Sequence, residues 1–388
     1  MTEALRIEAD WLTSDGARRV CAMLTDTGYD AWFVGGCVRN AILDEPVADL
    51  DISTNARPEQ VLSLAQDKGL TAVPTGIDHG TVTVVVDHIP YEITTYRRDV
   101  ATDGRRAVVA FADTIEEDAA RRDLTINALY AGPDGRVVDP LGGLPDLLAR
   151  RIRFIGDPFD RIREDYLRIL RFFRFYAWYG DPSEGLDPDG LAACAELAEG
   201  VETLSRERIG HEIRKLLQAP DPGPALASMA RCGVLMRLLP GASAAQIPVL
   251  VHVEEEAGFC PGLIRRFVAL GGEDADDRLR LSKAEVREVD RVRNALESGG
   301  RPAELGYRHG VEAATDALLL RAVMENRTAT QDELEQARMG SEARFPIAAA
   351  DLMPGVSGPA LGAALRDLED RWVASGFRMT RDELLTFR

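Results

Sequence analysis

The sequence predicts an α+β fold in which a mixed N-terminal part is followed by an all-helical remainder. Strand-like and helix-like patterns alternate through about residue 140, and beyond Asp157-Pro158 the pattern is helical with little strand signal. The chain has 388 residues, too many for one compact hydrophobic core, so two to four domains are expected.

Each element of the N-terminal part follows from a local pattern. Apolar residues near helical spacing predict a helix over 5–28, and Gly28 ends it. An apolar run predicts a short buried strand at 31–34, and a Gly35-Gly36 turn then leads into a second helix. Further strands are predicted at 49–53, 81–87 and 91–96, with a helix over 58–68.

Composition places the chain among globular proteins, with 45% hydrophobic and 28% charged residues. No run of 18 apolar residues predicts a membrane span, and the first ten residues lack the apolar core of a signal peptide. The five cysteines form no CxxC pair, which argues against a zinc knuckle or a disulfide framework. A cytoplasmic location is expected.

The net charge of −18 is unusual for a protein that binds nucleic acid. Charge is nevertheless distributed unevenly along the chain. Residues 150–174 contain eight arginines and four acidic residues. Because binding needs only a local basic surface, the acidic total does not exclude a nucleic-acid substrate.

A glycine turn and a pair of aspartates form the first candidate site. Asp49 and Asp51 lie two residues apart on a predicted strand, so both carboxylates face the same side. Carboxylates of this kind hold Mg²⁺ together with substrate phosphates. The amides of Gly35-Gly36 and the side chain of Arg39 suit phosphate oxygens. Taken alone, the pair is better explained as two solvated carboxylates beside a turn.

Two later segments carry further candidates. Glu92 is the one acidic residue in its predicted strand and is either a third carboxylate of the site or an edge-strand residue facing water. Arg122 opens an amphipathic segment that suits phosphate and ribose contacts, and on helical spacing Asp123 and Asn127 share a face as hydrogen-bonding partners. The alternative for this segment is an ordinary charged helix start.

A row of charged residues follows on a predicted helix. Asp165, Arg168, Arg171 and Arg174 are spaced three apart, and apolar residues occupy the other side. A salt-bridged solvent face is the alternative explanation. The absence of any acidic residue after Asp165 in this row favours an anionic or polar ligand.

The ordered motifs GGCVRN, DLDIST, YEITTYRRD, TDGRRAVVAF, RRDLTINALY, EDYLRILRFFRF and ERIGHEIRKLL resemble the family of class II tRNA nucleotidyltransferases and bacterial poly(A) polymerases. The resemblance covers roughly residues 30–220. It implies a polymerase-β-like nucleotidyltransferase head with a small mixed sheet over 1–150, a helical neck over 151–220, a body over 221–300, and a tail over 301–388 that is expected to contact tRNA.

The resemblance also implies roles for individual residues. Asp49 and Asp51 match the metal-binding pair, Gly36 and Arg39 match triphosphate-binding positions, and Arg122 matches an arginine that contacts the nucleotide. The neck positions are Asp165, Arg168, Arg171 and Arg174, and an aspartate and an arginine there read the Watson–Crick edge of the incoming base. Asn40 and Leu124 depart from the pattern, since many members have Asp and Phe there.

The implied activity is template-independent addition of CMP, CMP and AMP from CTP and ATP to the 3′ end of tRNA. Two Mg²⁺ ions, or Mn²⁺, are expected during catalysis, and no protein partner is implied. The alternatives are a poly(A) polymerase and an inactive RNA-binding relative. Family members that add only CC lack or shorten a flexible loop which this chain retains at 99–106. Complete CCA addition is therefore expected, with addition of A alone as the alternative, and addition of CC alone is not expected.

Overall fold

The computed structural model describes residues 5–103, 106–353 and 355–387. The chain divides into two compact units. The first runs to Glu212 and also contains Arg231–Leu238, and the second contains Ile213–Ala230 and the chain from Leu239 onward. The predicted α+β architecture is confirmed, because every strand of the described residues lies in the first unit. The division into head, neck, body and tail stays a prediction.

A seven-stranded mixed sheet, in the order β3-β4-β5-β2-β1-β8-β9, forms the centre of the first unit. The strands in the described residues are β1 Trp32–Val34, β2 Leu50–Thr54, β3 Thr71–Gly76, β4 Thr81–Val86, β5 Ile89–Thr95, β6 Arg97–Asp103, β7 Arg106–Phe111, β8 Tyr130–Ala131 and β9 Val137–Val138. Strands β6 and β7 form a separate two-stranded sheet.

The central strands β2 and β5 are paired in parallel, and this register positions the acidic residues. Leu50 is opposite Tyr91, and Asp51 is opposite Glu92. Leu50, Ile52 and Tyr91 are buried, so alternation along each strand turns Asp51 and Glu92 to the other face. Neighbouring residues in a parallel pair share a face, and the two carboxylates are therefore adjacent.

The helices of the N-terminal segment are α1 Asp10–Thr13, α2 Asp15–Thr25, α3 Gly36–Ile42, α4 Pro58–Asp67, α5 Ile115–Ala120, α6 Leu144–Leu148, α7 Pro158–Glu164, α8 Leu167–Tyr179, α9 Pro188–Glu196 and α10 Arg206–Leu217. The single helix predicted over 5–28 is wrong. Ser14 is extended, and its hydroxyl caps α2 by accepting from the Ala17 amide at 3.2 Å, so the chain forms two helices there.

Most of the segment predicted as a loop at 99–106 belongs to two strands, β6 and β7. Strands β6 and β7 pair in antiparallel fashion from Arg97 opposite Phe111 to Asp103 opposite Arg106. Gly104 and Arg105, at the centre of the predicted loop, lie outside the described residues. The alternating pattern of this segment was missed because its polar composition resembles that of a loop.

The remaining helices are α11 Gly223–Arg231, α12 Val234–Leu238, α13 Ile247–Glu256, α14 Leu263–Leu270, α15 Ala275–Arg278, α16 Lys283–Ser298, α17 Pro302–His309, α18 Val311–Met324, α19 Gln331–Glu342, α20 Ala349–Leu352, α21 Pro359–Ala374 and α22 Arg381–Leu385. In the second unit, buried Glu254 accepts from Arg265 and from Arg266 at 2.5 and 2.6 Å. No helix in the described part of the chain is long and apolar enough to cross a membrane.

Candidate active site

Three carboxylates come together at the start of the parallel strand pair. Asp51 is half-buried on β2 beside Glu92 on β5, and Asp49 is exposed one residue before β2 begins. Burial, Glu92 and Asp49 raise the pKa of Asp51 to about 6, although Arg122 acts in the opposite direction. The site therefore concentrates more negative charge than one arginine neutralises, and a bound cation would stabilise it.

The glycine turn lies next to this acidic cluster. Gly35 has φ +72°, which glycine adopts without strain, and its amide donates to the Leu129 carbonyl at 3.2 Å. A Cβ on Gly35 would lie 3.5 Å from Nη1 of Arg122. The turn therefore brings the chain close to the Arg122 guanidinium before α3 begins at Gly36.

Arg122 is held in place by buried polar groups. It donates to the Tyr130 hydroxyl at 3.1 Å, to the Ser53 hydroxyl at 3.3 Å and to the Asp118 carboxylate at 3.1 Å. Asp118 is fully buried and also accepts from Arg121 at 2.8 Å. Burial alone would raise the pKa of Asp118, but Arg122 and Arg121 lower it to about 2. The carboxylate is thus charged at neutral pH and fixes both arginines.

Arg39 is enclosed by neutral groups. Its guanidinium donates to the Asn127 amide oxygen at 2.5 Å, to the Asn40 amide oxygen at 2.8 and 3.1 Å, and to the Tyr179 hydroxyl at 2.8 Å. Four of its five N–H groups are engaged by these contacts. A Cβ on Gly36 would lie 3.8 Å from Nη2 of Arg39, so the guanidinium is packed against the glycine turn.

Asp123 and Asn127 are in contact, but not for the reason given by helical spacing. Helix α5 ends at Ala120, and only Thr125–Asn127 form a short 3₁₀ helix. Asn127 donates to Asp123 at 3.1 Å, and Asp123 accepts from the Leu124 amide at 2.9 Å. The other oxygen of Asp123 accepts from Arg171 at 2.5 Å. The prediction of a continuous helix here is wrong, because Leu124 has extended backbone and its amide donates to the Asp123 carboxylate.

Asp165 lies before helix α8 and not on it. It has extended backbone between α7 and α8, and its carboxylate accepts from the Leu167 amide at 3.1 Å and from Arg208 at 2.6 Å. Arg168, in the first turn of α8, donates to the Arg161 carbonyl at 2.8 Å and to the Glu164 carboxylate. The predicted helical row therefore begins after Asp165, and only its three arginines lie on α8.

The last two arginines of the row face different partners. Arg171 binds Asp123, whereas Arg174 donates to buried Glu212 at 2.6 Å. Both guanidinium groups lie over the Phe175 ring, at 5.2 and 4.3 Å from its centroid. They pack inside the first unit and do not form the solvent face that was considered as an alternative.

Apart from Arg174, which binds Glu212, the predicted residues form three groups. These are the carboxylates with the glycine turn and Arg122; the chain Arg39, Asn127, Asp123 and Arg171; and Asp165 with Arg168 at the start of α8. Sequence reasoning missed the residues that hold these groups in place, which are Asp118, Tyr130, Tyr179, Arg208 and Glu212. Asp118 had a detectable signal, since it precedes Arg121 and Arg122 by three and four residues. The other contacts join distant segments.

The acidic cluster has the donor chemistry of a site for a hard divalent cation. Asp49 and Asp51 supply two carboxylates, and the pKa of Asp51 is raised first by burial and then by the negative charge of Glu92 and Asp49. In the described part of the chain, no three His, Cys, Asp or Glu side chains are arranged to hold an ion by themselves. The donor set therefore fits an ion such as Mg²⁺, which takes one or two carboxylates and completes its shell with substrate phosphates and water.

The chain is similar to known proteins over most of its length. Residues 31–153 match the family described as Poly A polymerase head domain, and residues 185–246 match the probable RNA and SrmB-binding site of polymerase A. The chain is 32% identical to the mitochondrial CCA tRNA nucleotidyltransferase 1 of Danio rerio, over 98% of this chain and 91% of that protein. It is 36% identical to a CCA-adding enzyme of Streptococcus gordonii, over 70% and 67% of the two chains.

Among solved structures, the crystal structure of the Bacillus stearothermophilus CCA-adding enzyme in complex with CTP superposes with a TM-score of 0.77 at 28% identity. The match covers 92% of this chain and 91% of that chain. Nucleotidyltransferases of the matched family depend on divalent metal ions. The extent of these similarities, together with the ordered motifs, shows that the chain belongs to the class II family of CCA tRNA nucleotidyltransferases and poly(A) polymerases.

Proposed function

We propose that the chain adds C, C and A to the 3′ end of tRNA, taking CMP from CTP and AMP from ATP and releasing pyrophosphate. The observation that supports this most strongly is the parallel register that sets Asp51 beside Glu92, with Asp49 two residues earlier. The relatives named above are CCA-adding enzymes, and the superposed structure contains CTP. None of these observations favours a poly(A) polymerase.

We assign the metal site to Asp49 and Asp51, with Mg²⁺ as the physiological ion and Mn²⁺ as a substitute. The chemistry that two bound ions supply at such a site is activation of the attacking hydroxyl and stabilisation of the leaving pyrophosphate. Glu92 contributes to the negative potential at Asp51. Its role in this proposal is to strengthen cation binding, and a direct ligand role is not required.

The triphosphate is assigned to the side of the cluster that carries the glycine turn. The Gly35 amide is already engaged by Leu129, so Gly35 acts through its conformation, and Gly36 is the residue assigned to phosphate contact. Arg122 presents a guanidinium to the same place, with its orientation fixed by Asp118. Positioned positive groups of this kind stabilise the charge on a transferring phosphoryl group. Arg39 adds fixed positive charge behind the turn.

Base selection is assigned to Asp165 and Arg168. Both cytosine and adenine carry an exocyclic amine, from which a carboxylate accepts, whereas an arginine donates to a ring nitrogen or carbonyl. The Asp165 carboxylate accepts two hydrogen bonds in this structure, from Leu167 and Arg208. A carboxylate has about four acceptor positions, so acceptor capacity remains for a base amine. Uracil and guanine offer a carbonyl at that position and would be rejected.

The helical segments after residue 150 are assigned to the nucleic-acid substrate. In this proposal residues 151–220 are the neck, 221–300 the body and 301–388 the tail, and the tail contacts tRNA. The helical content of the second unit is consistent with this division. A cytoplasmic location accompanies the proposal.

The proposal is tested with three tRNA transcripts, ending at the discriminator base, at C and at CC. Each transcript is incubated with the protein and one labelled nucleoside triphosphate at a time. CMP should be added only to the first two transcripts and AMP only to the third. Addition of AMP to all three transcripts, or to unrelated RNA, would point to a poly(A) polymerase instead.

A further inference from the structure

Arg39 is a buried cation without a carboxylate partner. Arg39 is 6% exposed, and the hydrogen bonds that its guanidinium makes in the described residues all go to neutral groups. Removing a guanidinium from water is costly unless nearby groups replace the lost hydration. The groups that do so are the amides of Asn40 and Asn127 and the side chain of Tyr179.

Tyr179 contacts Arg39 in two ways. The guanidinium carbon lies 4.1 Å from the centroid of the Tyr179 ring, which is a close cation–π distance. The Tyr179 hydroxyl accepts from Arg39 at 2.8 Å and donates to the Asn40 amide oxygen at 3.3 Å. That amide is itself fixed, because Asn40 donates to the Pro46 carbonyl at 2.7 Å. The ring and the hydroxyl oxygen of Tyr179 therefore contact Arg39, and its hydroxyl proton is donated to Asn40.

These contacts attach α8 at two places, to α3 and to the segment from Asp123 to Asn127. Arg171 of α8 binds Asp123, Asp123 binds Asn127, and Asn127 binds Arg39, which returns to α8 through Tyr179. Arg171 and Tyr179 are eight residues apart, which is roughly 12 Å along a helix. A helix held at two points this far apart cannot slide or turn without breaking one of them. Arg168, near the start of the same helix, is thereby fixed relative to the carboxylates.

We propose that Tyr179 is a positioning residue for base selection, which holds α8 in register with α3 through Arg39. This inference rests on the proposed function, because it concerns how Arg168 is presented to the incoming base. Tyr179 itself does not contact the nucleotide in this proposal. Its removal should alter the preference for the correct base as well as the rate, since the register of the reading helix is what it controls.

The test compares Tyr179→Phe and Tyr179→Leu with the wild-type protein. Two quantities are measured: the ratio of kcat/KM for CTP to that for UTP in nucleotide transfer, and the ratio of their binding affinities by calorimetry without tRNA. Tyr179→Phe keeps the ring and should lower both ratios by about tenfold, the usual effect of losing one hydrogen bond to a charged group. Tyr179→Leu loses ring and hydroxyl and should lower them further.

A second-site change separates positioning from general destabilisation. Asn40→Asp places a carboxylate against Arg39 without changing the size of the side chain. Combined with Tyr179→Phe, it should restore the CTP preference to within about threefold of wild type, because the added carboxylate pairs with the buried guanidinium. This ion pair has to offset both the lost Tyr179 hydrogen bond and the lost donation from Asn40 to the Pro46 carbonyl. Tyr96→Phe is the matched control, since it removes a hydroxyl that bonds Asp30 at 3.1 Å in the same unit and should leave both ratios unchanged.

The possible results are distinguishable. An unchanged CTP preference in Tyr179→Leu, an equal loss in Tyr96→Phe, or no recovery with Asn40→Asp would overturn the positioning role. If the wild-type protein transfers no nucleotide to tRNA but the Tyr179 variants still lose CTP-over-UTP binding preference, the proposed function fails and the positioning role stands.

Discussion

Replacing Asp118 by Asn tests whether the fixed orientation of Arg122 matters for catalysis. The Asp118 carboxylate is fully buried and binds Arg121 at 2.8 Å, Arg122 at 3.1 Å and the Tyr130 hydroxyl at 2.8 Å. Asparagine has nearly the same shape, but it removes the negative charge and turns one acceptor into a donor. Two arginines would then face a neutral amide without a counterion.

The magnitude follows from these contacts. Removing one partner of a buried ion pair costs about 3–5 kcal/mol, because the remaining charge is left uncompensated. The free energy of unfolding of Asp118→Asn should fall by about that amount. Loss of one preorganised donor at a transferring group lowers turnover by a factor of about 10² to 10³. We therefore expect kcat/KM for CMP addition to fall at least about a hundredfold.

Both quantities are measured on the same preparation, by urea unfolding and by transfer to a tRNA transcript at a temperature where the variant is folded. Glu254→Gln is the matched control, since Glu254 is also buried and also holds two arginines, but in the second unit. It should lose similar stability and keep its kcat/KM per folded molecule. Equal kinetic losses in both variants, or full activity in Asp118→Asn, would refute the role assigned to Arg122.

Three further predictions concern the metal site, the second unit and the hairpin. Asp49→Asn and Asp51→Asn should each abolish transfer in saturating Mg²⁺ while tRNA binding by filter retention persists; turnover near wild type would remove the pair from the site. Hydrogen bonds from Arg214 lower the pKa of Glu285 from 4.5 to about 2, so this pair should stabilise the fold above pH 4.5 and lose its contribution as the pH falls towards 2. In Glu285→Gln the urea midpoint of unfolding should depend less on pH over that range. A pH dependence equal to that of the wild-type protein would contradict this. Deleting residues 100–106 should impair A addition far more than C addition, and A addition at the normal rate would show that the hairpin is only a connector.

Much of the fold was predictable from local signals. The helix predicted over 58–68 is confirmed as α4, and proline stands at the start of both α4 and α7. The predictions that failed depended on competition between local and longer-range contacts. Ser14 could be read as a helix residue or as a cap, and only its hydrogen bond to Ala17 decides between them. Strand β3 was missed because Pro74 and its exposed residues lack a strand pattern.

The candidate site was predictable in composition more than in arrangement. The spacing of Asp49 and Asp51 indicated a shared face, but the pairing of Asp51 with Glu92 requires the register between strands about 40 residues apart in sequence. Arg39, Asp123 and Asn127 were predicted individually as nucleotide ligands, whereas the structure shows them bonded to one another. Such partners join distant segments, so no local pattern identifies them. The roles of all these residues stay predictions.

The most direct test of CCA addition is the intact mass of the product formed from a tRNA that ends at the discriminator base, with all four nucleoside triphosphates present. We predict a single product heavier by two CMP and one AMP, with no further growth on longer incubation. Three results would contradict the assignment of this chain as a CCA-adding enzyme. These are a ladder of successive AMP additions, addition of UMP or GMP, and an unchanged tRNA mass in the presence of Mg²⁺.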